Sequence, residues 1–316
     1  MRFMLLGALV TLFTSLIAVA DSFLNQPVFE ASSVQDELVE TFREPKNILF
    51  SSNFGGASHV KWVLTILDEL SQRGHNVTFV TTNLHTSFAK PYPHFNTIVL
   101  KDDNEMLEST LSAGEHADLY EIVGGIFEFA NRNFETDYPA LKNIMSSLKI
   151  DVALCDFGAT AGCYEAAIAT GTPYIVTEAF AMSSDTSAPY INNNVLTMRD
   201  STTLKMGFTD RFIGMFVKPV KAMTKMMPAV QKNDETRRKV GCNISFMELS
   251  PSVHRDNLKL VNSLYGIEAA RPMGPLIEMV GPILPRKYDP LTPELKNFLD
   301  AHKRVVYIAF GQHAIF

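Results

Sequence analysis

The chain has little of what would place it in several large functional classes. Three cysteines in 316 residues are an odd number and too few for a disulfide framework. With 28 Lys and Arg against 34 Asp and Glu, the net charge of −6 leaves no basic footprint for a nucleic-acid partner. Gly55-Gly56 fits neither a G-x-G-x-x-G dinucleotide fingerprint nor a phosphate loop with its lysine. Gly56-Ala57-Ser58-His59-Val60 lacks the last glycine of a hydrolase nucleophile elbow. No D-x-D and no H-x-x-x-H is present, so metal-assisted chemistry has no obvious ligands. Internal repeats and low-complexity tracts are also missing. One tryptophan stands against 22 phenylalanines, which implies large apolar clusters without identifying a ligand.

One long apolar run exists, and it lies at the amino end. Arg2 followed by apolar residues 3–19 and the small-residue motif Ala18-Val19-Ala20 reads as a signal peptide over 1–20. A retained anchor is the rival reading, although the run is a little short for the roughly 20 residues a span needs. The signal implies the secretory pathway: the endoplasmic reticulum lumen or membrane, or secretion if the chain truly stops at Phe316. Entry there permits disulfides, yet Cys155 reads simply as a core residue at the end of a buried strand. Asn76 and Asn243 head glycosylation sequons; Asn76 abuts a buried strand, and Asn243 is the better acceptor.

After a polar lead-in over 21–45, strands alternate with helices. Strands are expected at 48–52, 77–81, 97–100, 151–155 and 174–177. The first helix, from His59 to about Arg73, would bury Val60, Val63, Leu64, Leu67 and Leu70. Ser58 is expected to cap it, with Gly74 as its left-handed terminator. Residues 104–148 read as mostly helical with a soft spot at Gly124-Gly125, and 159–170 as a small-residue helix. Residues 180–206 read as a long loop. In 208–227, which is amphipathic, Pro219 must kink the helix or begin another. Its methionines read most simply as core, with an apolar acceptor pocket or a membrane contact as alternatives. Short strands come next, at 258–262 and 278–280. Four prolines between 282 and 293 open a linker that runs to 303, and 305–310 reads as a fully buried strand. The alternation predicts a doubly wound parallel α/β domain over 46–281, with a second domain begun at 304–316.

Of the eight histidines, His59 stands where chemistry is expected: beyond the carboxyl end of a parallel strand, in the first turn of a helix. The macrodipole there disfavours imidazolium, which would keep the ring neutral and able to accept a proton. Asp156 comes directly after another strand on the same rim and could fix the ring's tautomer. Its plainer reading is a cap for the next helix.

The run FGGASHVKWVLTILDELSQRGHNVTFVTT resembles the start of the UDP-sugar-dependent glycosyltransferases. DVALCDFGATAGCYEAAIATGTPYIV resembles their central strand–helix–strand, LKLVNSLYGIEAARPMGPLIEMVGPILP the segment closing their acceptor domain, and RVVYIAFGQHA the strand opening their donor domain. FGQHA is most similar to fungal members. The resemblance covers 46–316 and implies a two-domain GT-B fold: a complete Rossmann-like acceptor domain and a donor domain only begun. It implies inverting hexosyl transfer from a UDP-sugar to an apolar hydroxylated acceptor (a sterol, lipid or secondary metabolite), without a cofactor or metal. His59 would be the base and Asp156 its partner. Gly56, Ser58, Gly311 and Gln312 would touch the donor; Phe54, Phe180, Met215 and Phe216 would line the acceptor side. The family usually has a serine where Gln312 stands. Most of the donor domain is missing from this sequence, so the competing expectation is a fragment that binds an acceptor without turnover. An unrelated Rossmann-like sugar-nucleotide enzyme would need the absent fingerprint.

Overall fold

Seven short strands pair in one parallel sheet, whose central strands are the most deeply buried. The computed structural model describes residues 44–53, 56–100, 119–158, 160–181, 207–245, 256–267, 273–285, 288 and 290–309. The chain divides at residue 45, and nearly all of the described residues belong to the unit Pro45–Phe316. The signal peptide and lead-in expected over 1–43 lie outside them.

The elements are β1 (Asn47–Ser51), α1 (Ala57–Gln72), β2 (Asn76–Thr82), a short α2 (Thr86–Ala89), β3 (Asn96–Leu100), α3 (Leu119–Ser147), β4 (Val152–Asp156), α4 (Cys163–Thr170), β5 (Tyr174–Glu178), α5 (Phe208–Phe212), α6 (Lys218–Lys239), β6 (Lys259–Val261), β7 (Ile277–Met279) and α7 (Pro293–Ala301). All strand pairs are parallel, in the order β3-β2-β1-β4-β5-β6-β7. The order reverses between β1 and β4, where a doubly wound sheet leaves a crevice at its carboxyl edge. Ser51 pairs directly with Cys155 across that seam, so the loop leaving β1 and the last residues of β4 share one rim.

Alternation of side chains along the strands supplies both faces of the sheet. Ile48 and Phe50 of β1, Val77 and Phe79 of β2 and Leu154 of β4 pack on one face with Val60, Val63, Leu64 and Leu67 of α1. Leu49, Val80, Ala153 and Cys155 face the other way, against Phe134, Tyr138, Leu141 and Met145 of α3 and the start of α4. Full burial of each large apolar side chain contributes about 1.5–3 kcal/mol. The expected stripe of α1 is buried through Leu67, and Leu70 packs partly buried against the same cluster. A buried ion pair joins α4 to α6: Arg237 Nη2 donates to Glu165 Oε1 at 2.6 Å, and its guanidinium lies 4.3 Å from the Phe134 ring centroid.

Several boundaries differ from expectation. Gly124-Gly125 does not interrupt α3. Two glycines cost the helix about 2 kcal/mol in propensity, and the later turns are anchored in the core, from which a nucleated helix propagates. Helix α4 starts at Cys163, because Gly158 and Gly162 adopt left-handed backbone ahead of it. Gly162 is irreplaceable on steric grounds as well: a Cβ there would lie 2.9 Å from the Tyr138 Cα. Gly74 terminates α1 with φ 97°, as expected. Pro219 does begin a new helix, α6, after a π-helical turn over Ile213–Val217. The segment read as a buried strand at 305–310 is not paired over its described part; Val306 and Tyr307 are 83% and 89% exposed. Hydrophobic sequence alone does not bury a strand that has no neighbouring strand to pair with.

Candidate active site

The last residues of β1 (Ser51) and β4 (Asp156) lie side by side, so the loops leaving them meet above the seam. Asp156 is the final residue of β4 and is fully buried. It does not cap the next helix, whose N-cap is Gly162. From the β1 side the chain reaches α1, where His59 is the third residue and its backbone N–H donates to Gly56 O at 3.0 Å. The His59 Nδ1 lies 2.7 Å from Asp156 Oδ1, across 97 positions of sequence. Thr177 Oγ1 donates to Asp156 Oδ2 at 3.5 Å. The His59 side chain keeps 21% of its surface exposed while that of Asp156 keeps none. With Nδ1–H donating to the carboxylate, the tautomer is set, and Nε2 carries the lone pair of the ring.

Electrostatics make this a tuned pair. Burial alone would lower the His59 pKa, but the hydrogen bond and the charge of Asp156 outweigh it, and the pKa is raised above 6.5. This overturns the expectation that the helix end keeps the ring neutral by lowering its affinity for protons. A partial charge at a helix terminus is weaker than a full carboxylate in direct contact. Complete burial pushes the Asp156 carboxyl up to about 6, against the hydrogen bonds from His59 and Thr177; the Glu178 carboxylate pushes it the same way as burial. A carboxyl raised to about 6 in direct contact with the imidazole couples the two groups, so their protons come on and off as a pair.

No family model matches the chain. UDP-glycosyltransferase 1 of Phaeomoniella chlamydospora is 55% identical over 58 residues, 18% of this chain and 12% of that protein. UDP-glycosyltransferase FPY2 of Fusarium mangiferae is 24% identical over 282 residues, 85% of this chain and 50% of that protein. Among solved structures, the glycotransferase of kitacinnamycin superposes with a TM-score of 0.52 at 16% identity, covering 78% of this chain and 53% of that one. The chain is similar to fungal UDP-glycosyltransferases, at low identity over most of its length and at high identity over a short stretch. Its fold is α/β of the GT-B type. The chain spans half the length of the Fusarium mangiferae relative.

The other residues singled out from sequence are more scattered. Gly56 is the N-cap of α1. Ser58, expected as the cap, is exposed in the first turn, and no side chain caps the helix. The extended backbone at Gly56 makes that residue the boundary and leaves Ser58 inside the helix. Phe180 lies just past β5 on the same rim and is 46% exposed. Phe216 is exposed too, with its ring 5.2 Å from Phe212. Met215 lies in the π-helical turn, and its side chain lies outside the described residues. Phe54, Gly311 and Gln312 lie outside the described residues altogether.

Sequence reading missed three participants. Glu178 ends β5 fully buried, close enough to act on Asp156; an acid closing a third strand on one rim was its signal. Cys163 forms a disulfide with Cys155, the neighbour of Asp156. Their spacing of eight, across a tight strand–helix turn, was readable. Asn53 hydrogen-bonds residues from both loops but carried no motif.

Proposed function

We propose that this chain is the acceptor-side part of an enzyme that moves a sugar from a UDP-sugar to a hydroxyl of an apolar small molecule or lipid, inverting the anomeric carbon. The 2.7 Å contact between His59 and Asp156 at the sheet's switch point carries this reading. The acceptor hydroxyl gives its proton to His59 Nε2, and the carboxylate of Asp156 stabilises the imidazolium. The freed oxygen forms a bond to the anomeric carbon from the face opposite the nucleotide. The bond from that carbon to the diphosphate oxygen breaks, and UDP leaves with the electron pair. Gly56, Ser58, Gly311 and Gln312 are the proposed donor contacts; Phe54, Phe180, Met215 and Phe216 are the proposed acceptor contacts.

A lumenal setting in the secretory pathway belongs to the same proposal, supported by the Cys155–Cys163 disulfide, which persists in oxidising compartments. Among the described residues no helix is long and apolar enough to cross a membrane. The exposed row Phe208, Phe212 and Phe216 supports contact with a membrane surface.

The test supplies UDP-sugars and apolar hydroxylated acceptors to this chain and to a form extended to the length of its relatives. The expected outcome is a UDP-dependent glycoside of inverted configuration from the extended form. A retained configuration would exclude the direct displacement. The second reading is an acceptor-binding chain without turnover. Catalysis gains roughly 7–11 kcal/mol from orienting both reactants, so binding an acceptor alone would not supply it. Product from the 316-residue chain alone would rule it out.

A further inference from the structure

The members of the pair stand on different elements, Asp156 ending β4 and His59 in the first turn of α1, and one buried side chain connects the segments beside them. Asn53, two residues beyond β1, is 1% exposed. An asparagine amide offers two donor hydrogens and two acceptor lone pairs, and Asn53 uses all four. Its Nδ2 donates to Asp137 Oδ2 of α3 and to Ala161 O at 3.4 Å. Its Oδ1 accepts from Ser51 Oγ at 3.0 Å and from Thr160 Oγ1 at 2.8 Å, and these two hydroxyls also lie 2.9 Å from each other, so two hydroxyl hydrogens serve three contacts. Its carbonyl accepts from Thr82 Oγ1 at 2.8 Å, and that of Ser52 from Thr81 Oγ1 at 3.0 Å. The end of β1 is thereby tied to β2, to α3 and to the β4–α4 loop. That loop is closed at its base by Cys155–Cys163 and reaches Asn53 through Thr160.

We propose that Asn53 and Thr160 are positioning residues that latch the end of β1, from which the chain leads to His59, to the β4–α4 loop that follows Asp156, and so set the spacing of the pair. An apolar residue in place of Asn53 would take one hydrogen-bond donor away from the fully buried Asp137 carboxylate. A saturated polar network instead fixes one geometry, since each displaced partner leaves another unsatisfied. Both residues act through His59 and Asp156. The effect on rate rests on the proposed proton transfer; the effect on geometry does not.

Thr160→Val keeps the shape and removes the hydroxyl, whereas Thr160→Ser retains it. The His59 ring is monitored by NMR against pH in the 316-residue chain, with Asp156→Asn as the reference for a broken pair and circular dichroism as the check on folding. Thr160→Val is expected to move the His59 midpoint from its raised position toward 6.5, part of the way to the Asp156→Asn value. Thr160→Ser should titrate as wild type. In the extended form, Thr160→Val should lower kcat on the order of tenfold to a hundredfold with KM little changed. Should Thr160→Val not fold, Ser51→Ala removes the other hydroxyl on Asn53 Oδ1 and carries the same expectation. A wild-type titration in the hydroxyl-deleted variant, with Asp156→Asn shifted, overturns the latch and leaves the pair standing. An unmoved midpoint in Asp156→Asn overturns both.

Discussion

Replacing His59 with alanine in the extended form is expected to lower kcat by about 10²–10⁴-fold, the range general-base removal costs, with acceptor affinity nearly unchanged. The separation of the two effects comes from where the ring sits. Its side chain is partly exposed at the first turn of α1 and contributes one hydrogen bond to Asp156 rather than core packing. Alanine is a better helix former at that position, so the sheet and its acceptor face should survive. Steady-state kinetics, with acceptor binding measured by calorimetry, reads both quantities. Turnover within a few-fold of wild type would remove His59 from the reaction.

Asp156→Asn should abolish the proposed glycosyl transfer in the extended form and at the same time stabilise the fold at alkaline pH. A carboxyl displaced from 3.8 to about 6 by burial corresponds to a cost of about 3 kcal/mol for keeping it ionised in the folded state. Linkage gives the sign. The folded pKa exceeds the unfolded one, so the protonated form favours folding, and that stability is lost as pH rises from 3.8 through about 6. Asparagine mimics the protonated acid without titrating. The variant's advantage should therefore be largest near pH 8, approach about 3 kcal/mol as an upper bound, and shrink as pH falls through 6 toward 3.8. Urea unfolding of both proteins across that interval measures it. The stability forgone by the wild type keeps a charged carboxylate against the ring, which is the trade the proposed role of the pair requires. A variant less stable than wild type at pH 8 would mean that the contact with His59 outweighs the burial of the charge.

Much of the arrangement was legible in the residues because it depends on local pattern. Alternating apolar runs and a 3.6-residue stripe placed β1, α1, β2 and β4 within a residue or two. Topology then put His59 and Asp156 on one rim. The features hidden from the sequence depend on three-dimensional neighbours. The direction of the His59 pKa turns on a 2.7 Å contact that competes with a helix end. The cap of α1 turns on the backbone of Gly56 rather than on the chemistry of Ser58. The Cys155–Cys163 bond needed Gly158 and Gly162 to fold the turn back on itself. Val306 and Tyr307 show the converse: a strongly apolar pattern with no neighbouring strand remains exposed, unpaired chain.

The pH dependence of kcat/KM for glycosyl transfer tests the role of the pair most directly, because it reports the protonation of the free enzyme's essential groups. His59 must be unprotonated to accept the acceptor's proton, and Asp156 holds its pKa above 6.5. The rate should therefore rise with pH through a midpoint above that value, and His59→Ala should lose this limb. A profile that is flat between about pH 5 and 9, or a rising limb that persists in His59→Ala, would contradict the assignment of His59 as the base.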